Sequence, residues 1–154
     1  MSSNVYIDGV NFYYGCMRGT PYRWLNIEAF CAKLLPKDDI NRIRYFTAMV
    51  SARPGGPDAP LRQKTYLRAL ATLPRIPFTS ATSSPTLVRM RLAKPPAAGP
   101  RTVEVIKTEE KGSDVNLASL LLLDGFHRDC DTVVIVSNDS DLREPCESLG
   151  ENSD

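Results

Sequence analysis

The chain is 154 residues long, the size of one ordinary domain, and at that length a single core buries about two thirds of the unfolded surface. No apolar run approaches the ~20 residues that cross a bilayer, and Met1-Ser2-Ser3-Asn4 leads into a strand without the basic and apolar regions of a secretion signal, so no membrane association and a cytoplasmic location are expected. The net charge of +1 lacks the excess of many nucleic-acid binders, and one histidine (His127) with four cysteines outside any CxxC spacing argues against zinc.

Val5 to Asp8 reads as a buried first strand. Gly9 to Arg23, with its glycines, a proline and Phe12-Tyr13-Tyr14, is expected as a loop or short helical turn over the strand ends. Asn26 then caps a helix of about two turns, because Ile27, Phe30, Cys31, Leu34 and Leu35 recur at helical spacing and Pro36 stops it. Within it Cys31 is best read as a small buried hydrophobe. Ile43 to Val50 is a second strand, and the following Ser51-Ala52-Arg53-Pro54-Gly55-Gly56-Pro57 is expected as a mobile loop. Asp58 caps a helix from Ala59 to Leu73, with Leu61, Tyr66, Leu67, Leu70 and Leu73 on the apolar side, Arg62, Lys64 and Arg68 facing solvent, and Pro74 at its end.

Arg75 to Thr79 reads as a short strand. Thr86 to Ala93 and Arg101 to Thr108 form a hairpin around the tip Lys94-Pro95-Pro96-Ala97-Ala98-Gly99-Pro100, alternating basic and apolar residues. Ser113 caps a helix through Phe126 whose Val115, Leu117, Ala118, Leu120, Leu121, Leu122 and Leu123 leave little polar surface, so this helix should be largely buried. His127 reads as its C-terminal capping group. Thr132 to Val136 is expected as the central closing strand, and Asp139 to Leu149 as a last helix. The alternation of strands and helices argues for an α/β fold, a three-layer sandwich with a mainly parallel central sheet and right-handed crossovers.

Four aspartates stand at the ends of these segments: Asp8 closes the first strand, Asp114 opens the leucine-rich helix, and Asp139 and Asp141 follow Val133-Val134-Ile135-Val136. In an open α/β sheet ligands bind beyond the carboxyl ends of the strands, so carboxylates remote in sequence can converge there. Such carboxylates suit hard divalent cations, which prefer oxygen ligands. Without a cation they repel, by roughly 4 kcal/mol for unit charges about 4 Å apart at an effective dielectric near 20.

Tyr6-Ile7-Asp8-Gly9-Val10-Asn11, Lys111-Gly112-Ser113-Asp114-Val115-Asn116-Leu117-Ala118 and Val136-Ser137-Asn138-Asp139-Ser140-Asp141-Leu142 resemble, in order and at comparable spacing, the three signature blocks of the NYN domain family, PIN-like ribonucleases. The resemblance spans residues 4 to 149; between about 20 and 103 it holds only in the general pattern of strands and helices. It implies one PIN-like NYN domain over residues 1–154 and an Mg2+- or Mn2+-dependent endoribonuclease acting on single-stranded or structured RNA. Asp8, Asp114, Asp139 and Asp141 would hold the ion, and products would carry a 5′-phosphate and a 3′-hydroxyl. Asn11 matches the family's asparagine and would orient Asp8 or the attacking water. Lys111 would contact a phosphate or offset the negative charge, and Ser137 and Asn138 would fix the metal ligands. Family members usually continue with another strand and helix where this chain stops at Gly150-Glu151-Asn152-Ser153-Asp154, so a domain trimmed at its C-terminus is expected, with an exposed sheet edge for a homodimer or a protein partner.

Plainer roles compete with these. Asp139 or Asn138 would cap the last helix and Asp114 would face the positive end of its own, whereas capping does not account for Asp8, after which no helix is expected. Arg89, Arg91, Lys94, Arg101 and Lys107 make either a basic arm along a nucleic-acid groove or a solvated hairpin; Tyr13, Tyr14, Tyr22 and Trp24 either stack on bases or join an aromatic core. Two rival functions remain. A phosphatase of the haloacid dehalogenase type needs a second acid two positions after Asp8, where this chain has Val10. A catalytically weak RNA-binding or regulatory module would keep the fold with little turnover.

Overall fold

The computed structural model describes residues 1–52 and 55–150, with backbone alone for 78–86 and 108–111. Arg53 and Pro54, within the loop expected over Ser51–Pro57, lie outside these described residues, as do residues 151–154.

Strand β1 (Ser2–Asp8) is buried from Ser3 onward, with Val5 and Ile7 in one core and Tyr6 in another. A strand apolar at consecutive positions is what a parallel sheet covered on both faces demands. β1 pairs in parallel with β2 (Asp39–Ala48) on one side and with β5 (Thr132–Val136) on the other. β2 pairs in parallel with the start of β3 (Phe78–Arg91), whose remainder pairs antiparallel with β4 (Thr102–Lys111). The strand order is β4-β3-β2-β1-β5, a mixed α/β fold on a mainly parallel sheet.

Two clusters of buried side chains hold the sheet to its helices. Val5, Ile7, Ile43 and Tyr45 pack with Phe12 of the short helix α1 (Gly9–Phe12), Met17 of the π-helical turn Tyr13–Met17, Ile27 and Cys31 of α2 (Ile27–Leu34), and Leu67 and Leu70 of α3 (Ala59–Leu70). Tyr6 and Phe46 instead meet Leu117 and Leu121 of α4 (Ser113–Phe126), Leu142, and the partly buried Leu149 of α5 (Arg143–Gly150). Each aliphatic side chain taken fully out of water stabilises the fold by about 1.5–3 kcal/mol. Asn26 caps α2 as expected, its Oδ1 accepting from the Ala29 amide at 3.0 Å. Burial and the nearby Glu28 charge push the Cys31 thiol up to about 11.

Several expectations are corrected. β5 is an edge strand, not the centre, because α4 carries the chain back across the sheet to the far side of β1. Of the strand expected at Arg75–Thr79 only Phe78 and Thr79 are strand, and they open β3, which runs on as the first hairpin strand; the ladder with β4 runs from Thr82↔Lys111 to Arg91↔Thr102. Helix α3 stops at Leu70, leaving Leu73 beyond it, and Leu61 is exposed. Ser113 is the first helical residue of α4, not its cap; Gly112 holds the cap position at φ +95°, a left-handed conformation that favours glycine. α4 is not largely buried: Leu117, Leu121 and Asp124 form one buried stripe, while Val115, Leu123 and Phe126 face solvent. The last helix is divided into a 3-10 turn, Ser140–Leu142, and α5.

Candidate functional site

The strand after β1 adds to one side of it, whereas the chain leaving β4 returns to its other side as β5. The strand order thus reverses between β1 and β5, and the carboxyl ends of these two strands flank the crevice that open α/β sheets use for ligands. Asp8 ends β1 there, and Ser137-Asn138-Asp139 follow β5.

Asp8 is 2% exposed, and both of its oxygens are engaged. Oδ1 accepts from the Val10 and Asn11 amides, each at 3.1 Å, and Oδ2 accepts from the Asn11 side-chain amide and, at 3.0 Å, from the Ser137 hydroxyl. The Ser137 Oγ accepts in turn from the Asp139 amide at 3.1 Å, and Asp139 Oδ1 from the Asp141 amide at 2.9 Å. One chain of hydrogen bonds therefore joins Asn11, Asp8, Ser137, Asp139 and the backbone of Asp141. Capping does apply to Asp8, contrary to expectation: α1 begins at the next residue, and Asp8 is its N-cap. Gly9 permits that abrupt start. A Cβ on Gly9 would lie 2.5 Å from the Tyr45 ring, so β1 turns into α1 directly over Tyr45.

Asp114, in the first turn of α4, faces this group. It is exposed, yet its carboxyl is held above the usual carboxylate range by partial burial and then by the negative charges of Asp8, Asp139 and Asp141. Asp114 thus feels the charge of three aspartates that two other segments supply. Their oxygen-only donor chemistry fits a hard divalent cation. Among the described residues, however, no three acidic, histidine or cysteine side chains are gathered closely enough to share an ion. Next to Asp114, the Ser113 hydroxyl is buried without a hydrogen-bond partner among the described residues.

Of the other residues singled out, Asn138 is exposed and lines an open groove of about 580 Å³ with Asn11, Phe12, Tyr14, Gly15, Cys16, Val136 and Ser137. Lys111 ends β4, and its side chain lies outside the described residues. Arg89 and Arg91 stand on the extension of β3, outside the hydrogen-bonded group. Tyr13 is partly buried against the core, whereas Tyr14, Tyr22 and Trp24 are more than half exposed, although Tyr14 meets the Tyr13 ring edge-on at 5.3 Å and Trp24 the Tyr66 ring at 6.1 Å. His127 takes the C-cap position of α4, where its backbone amide donates to Leu123.

Sequence reasoning missed the group that seats α4. Asp124, 4% exposed, accepts from the Tyr6 hydroxyl at 2.6 Å and from Arg44 Nε and Nη2 at 2.7 and 2.8 Å, with Arg42 at 3.5 Å. Arg42 also pairs with Asp129 at 3.0 Å, and Asp129 accepts from Asn4 at 3.0 Å. A signal was available: Asp124 continues the stripe of Leu117 and Leu121 on the helix, and Arg42 and Arg44 alternate on β2.

The sequence profile of the NYN domain family matches residues 2–153. Over an alignment of 180 positions the chain is 33% identical to the 6-hydroxy-3-succinoylpyridine 3-monooxygenase HspA of Pseudomonas putida (strain DSM 28022 / S16), covering 100% of this chain and 57% of that protein. The chain thus spans little more than half the length of this relative. Among solved structures, a protein of unknown function from Vibrio parahaemolyticus RIMD 2210633 superposes with a TM-score of 0.54 at 14% identity, over 98% of this chain and 75% of that one, a likeness of fold alone.

Proposed function

Because the chain belongs to the NYN domain family, whose fold is nuclease-like, we propose that it is a metal-dependent endoribonuclease centred on Asp8, Asp114, Asp139 and Asp141. The observation that carries this reading is the hydrogen-bonded chain from Asp8 through Ser137 to Asp139 and the Asp141 amide at the reversal of strand order, with Asp114 feeling the charge of all three aspartates. On this reading the fold is a PIN-like three-layer sandwich, with α2 and α3 on one side of the sheet and α4 and α5 on the other.

Asp8 and Asp139, linked through Ser137, would be the fixed pair of ligands, and because no three acids stand close enough to share an ion among the described residues, the exposed Asp114 and Asp141 would move inward to complete the oxygen donor set. Magnesium or manganese, when bound, supplies the Lewis acidity that phosphodiester hydrolysis requires. Asn11 locks the Asp8 carboxylate in orientation, and Ser137 sets the distance between the two strand ends. Asn138 on the groove wall contacts substrate, and Lys111, three positions before Asp114 in the sequence, would offset negative charge. Labelled single-stranded RNA incubated with manganese should be cut internally by the wild type and spared by the Asp8→Asn, Asp141→Asn double variant. Equal decay in both removes the proposal, and a gel shift without cleavage in several metals favours a binding module.

The identity to HspA favours a second reading, in which the groove beside Asp8, with Phe12 and Tyr14 on its wall, takes a small heteroaromatic compound such as the one that relative is named for. Calorimetric titration with 6-hydroxy-3-succinoylpyridine separates the two. Saturable binding that Tyr14→Ala weakens, with intact RNA after incubation, supports the second reading.

A further inference from the structure

Resting on the nuclease reading, we propose that the β3–β4 hairpin is a clamp for single-stranded RNA, gripping its backbone and leading it to the aspartates. The topology places arm and site on one edge. Asp8 ends β1 opposite Phe46 of β2, and β2 last pairs with β3 at Ala48↔Ala81. β3 then continues in the same direction from Thr82 to Arg91 with β4 as its partner, reaching roughly 30 Å at about 3.3 Å per residue. Because β3 is parallel to β2, and β2 to β1, this extension leaves the sheet at the carboxyl-end edge, where Asp8 lies. β4 brings the chain back to that edge, and Gly112 and Ser113 alone separate it from Asp114.

The charges of the arm fit a polyanion. From Thr82 to Lys111 the arm carries six basic residues against Glu104, Glu109 and Glu110, and its outer part, from Leu87 to Lys107, holds Arg89, Arg91, Lys94, Arg101 and Lys107, all exposed, against Glu104 alone. The overall charge of +1 hides this segregation, since the rest of the chain carries an excess of acid. The ladder sets Leu87 opposite Ile106, Arg89 opposite Glu104 and Arg91 opposite Thr102, and the period of two puts these pairs on one face. Leu87 and Ile106 are 64% and 72% exposed, so this face offers apolar side chains to bases or riboses beside guanidinium groups for phosphates. A second copy of the arm would bring like charge to like, so the charge selects RNA over self-association.

The test measures binding of a fluorescent oligouridylate in EDTA across a salt series, for wild type and for the triple variant Arg89→Gln, Arg91→Gln, Arg101→Gln. The slope of log affinity against log salt should fall by about 2 in the triple variant, at about 0.7 for each phosphate no longer neutralised, with weaker binding at every salt. Its melting temperature and its manganese-dependent hydrolysis of bis(p-nitrophenyl) phosphate, a diester too short to be gripped, should match wild type. Unchanged slope and affinity, or no binding by wild type, overturns the clamp and leaves the nuclease reading standing. Equal hydrolysis of the small diester by wild type and Asp8→Asn overturns the nuclease reading, whatever the slopes. A dimer seen by sedimentation that Met90→Glu dissociates, with RNA binding unaltered, assigns the arm to a second copy and also overturns the clamp.

Discussion

Replacing Asp124 by alanine should destabilise the protein more than any surface substitution, because Asp124 fastens α4, and with it Asp114, to the sheet. The change removes three short hydrogen bonds and leaves the Tyr6 hydroxyl and the Arg44 guanidinium without their buried partner. Breaking a buried ion pair from one side costs about 3–5 kcal/mol. The Arg44 side chain is 16% exposed and Arg42 keeps Asp129, so the lower end applies, about 3 kcal/mol. For a domain of this size that lowers Tm by roughly 6–12 °C. Tyr6→Phe, which keeps the ring and loses one hydrogen bond, should cost about 1 kcal/mol.

The effect of pH follows from the same hydrogen bonds and charges. Burial works to raise the pKa of Asp124, but the hydrogen bonds from Arg44 and Tyr6 and the charges of Arg44 and Arg42 outweigh it and hold the carboxyl below the usual range. A carboxylate depressed on folding stabilises above its unfolded pKa of about 3.9, and that contribution is lost as pH falls through the folded value. The stability gap between wild type and Asp124→Ala, measured by urea unfolding, should therefore be constant from about pH 5 to 8 and shrink below about pH 4. A gap under about 1 kcal/mol at pH 7, or one that stays constant into strong acid, refutes this account of how α4 is seated.

Other substitutions probe the site and the core. Gly9→Ala forces a methyl group into the Tyr45 ring and should cost about 1–3 kcal/mol by thermal melting; a neutral change would mean that α1 is not seated on Tyr45. Ser137→Ala removes the hydroxyl bridging Asp8 and the Asp139 amide, and should lower RNA cleavage at least about tenfold while Tm falls by less than about 4 °C; unimpaired cleavage would remove Ser137 from the site. Cys31, fully buried with its thiol pushed up to about 11, should resist a thiol reagent until the protein unfolds, whereas the exposed Cys16 should react at once; mass mapping of the labelled residues decides it.

Local patterns were legible where one residue type has one physical use. Asn26 before a helical period and Pro36 after it delimit α2, since a short amide caps and a proline cannot continue. Val5-Tyr6-Ile7 marks a strand buried on both faces. The four aspartates were recognisable as strand-end and helix-start acids whose charges would repel, but the Ser137 bridge was not, since it depends on β1 and β5 being neighbours. The burial of α4 was misjudged because a leucine run shows hydrophobicity without showing which stripe meets the sheet; Phe126 is 72% exposed while the acid Asp124 is buried.

Sequence alone determined the elements and their chemistry: which segments prefer strand or helix, and that carboxylates stand at their ends. These are local preferences, set by side-chain shape, spacing and the missing donor of proline. Tertiary structure decided which ends meet. It placed β5 at the edge beside β1, required a glycine at the start of α1 because Tyr45 lies beneath, ran β3 past the sheet as an arm, and buried Asp124 against two arginines. Pairing between distant strands and the balance of desolvation against charge act through space, and separation along the chain carries no measure of either.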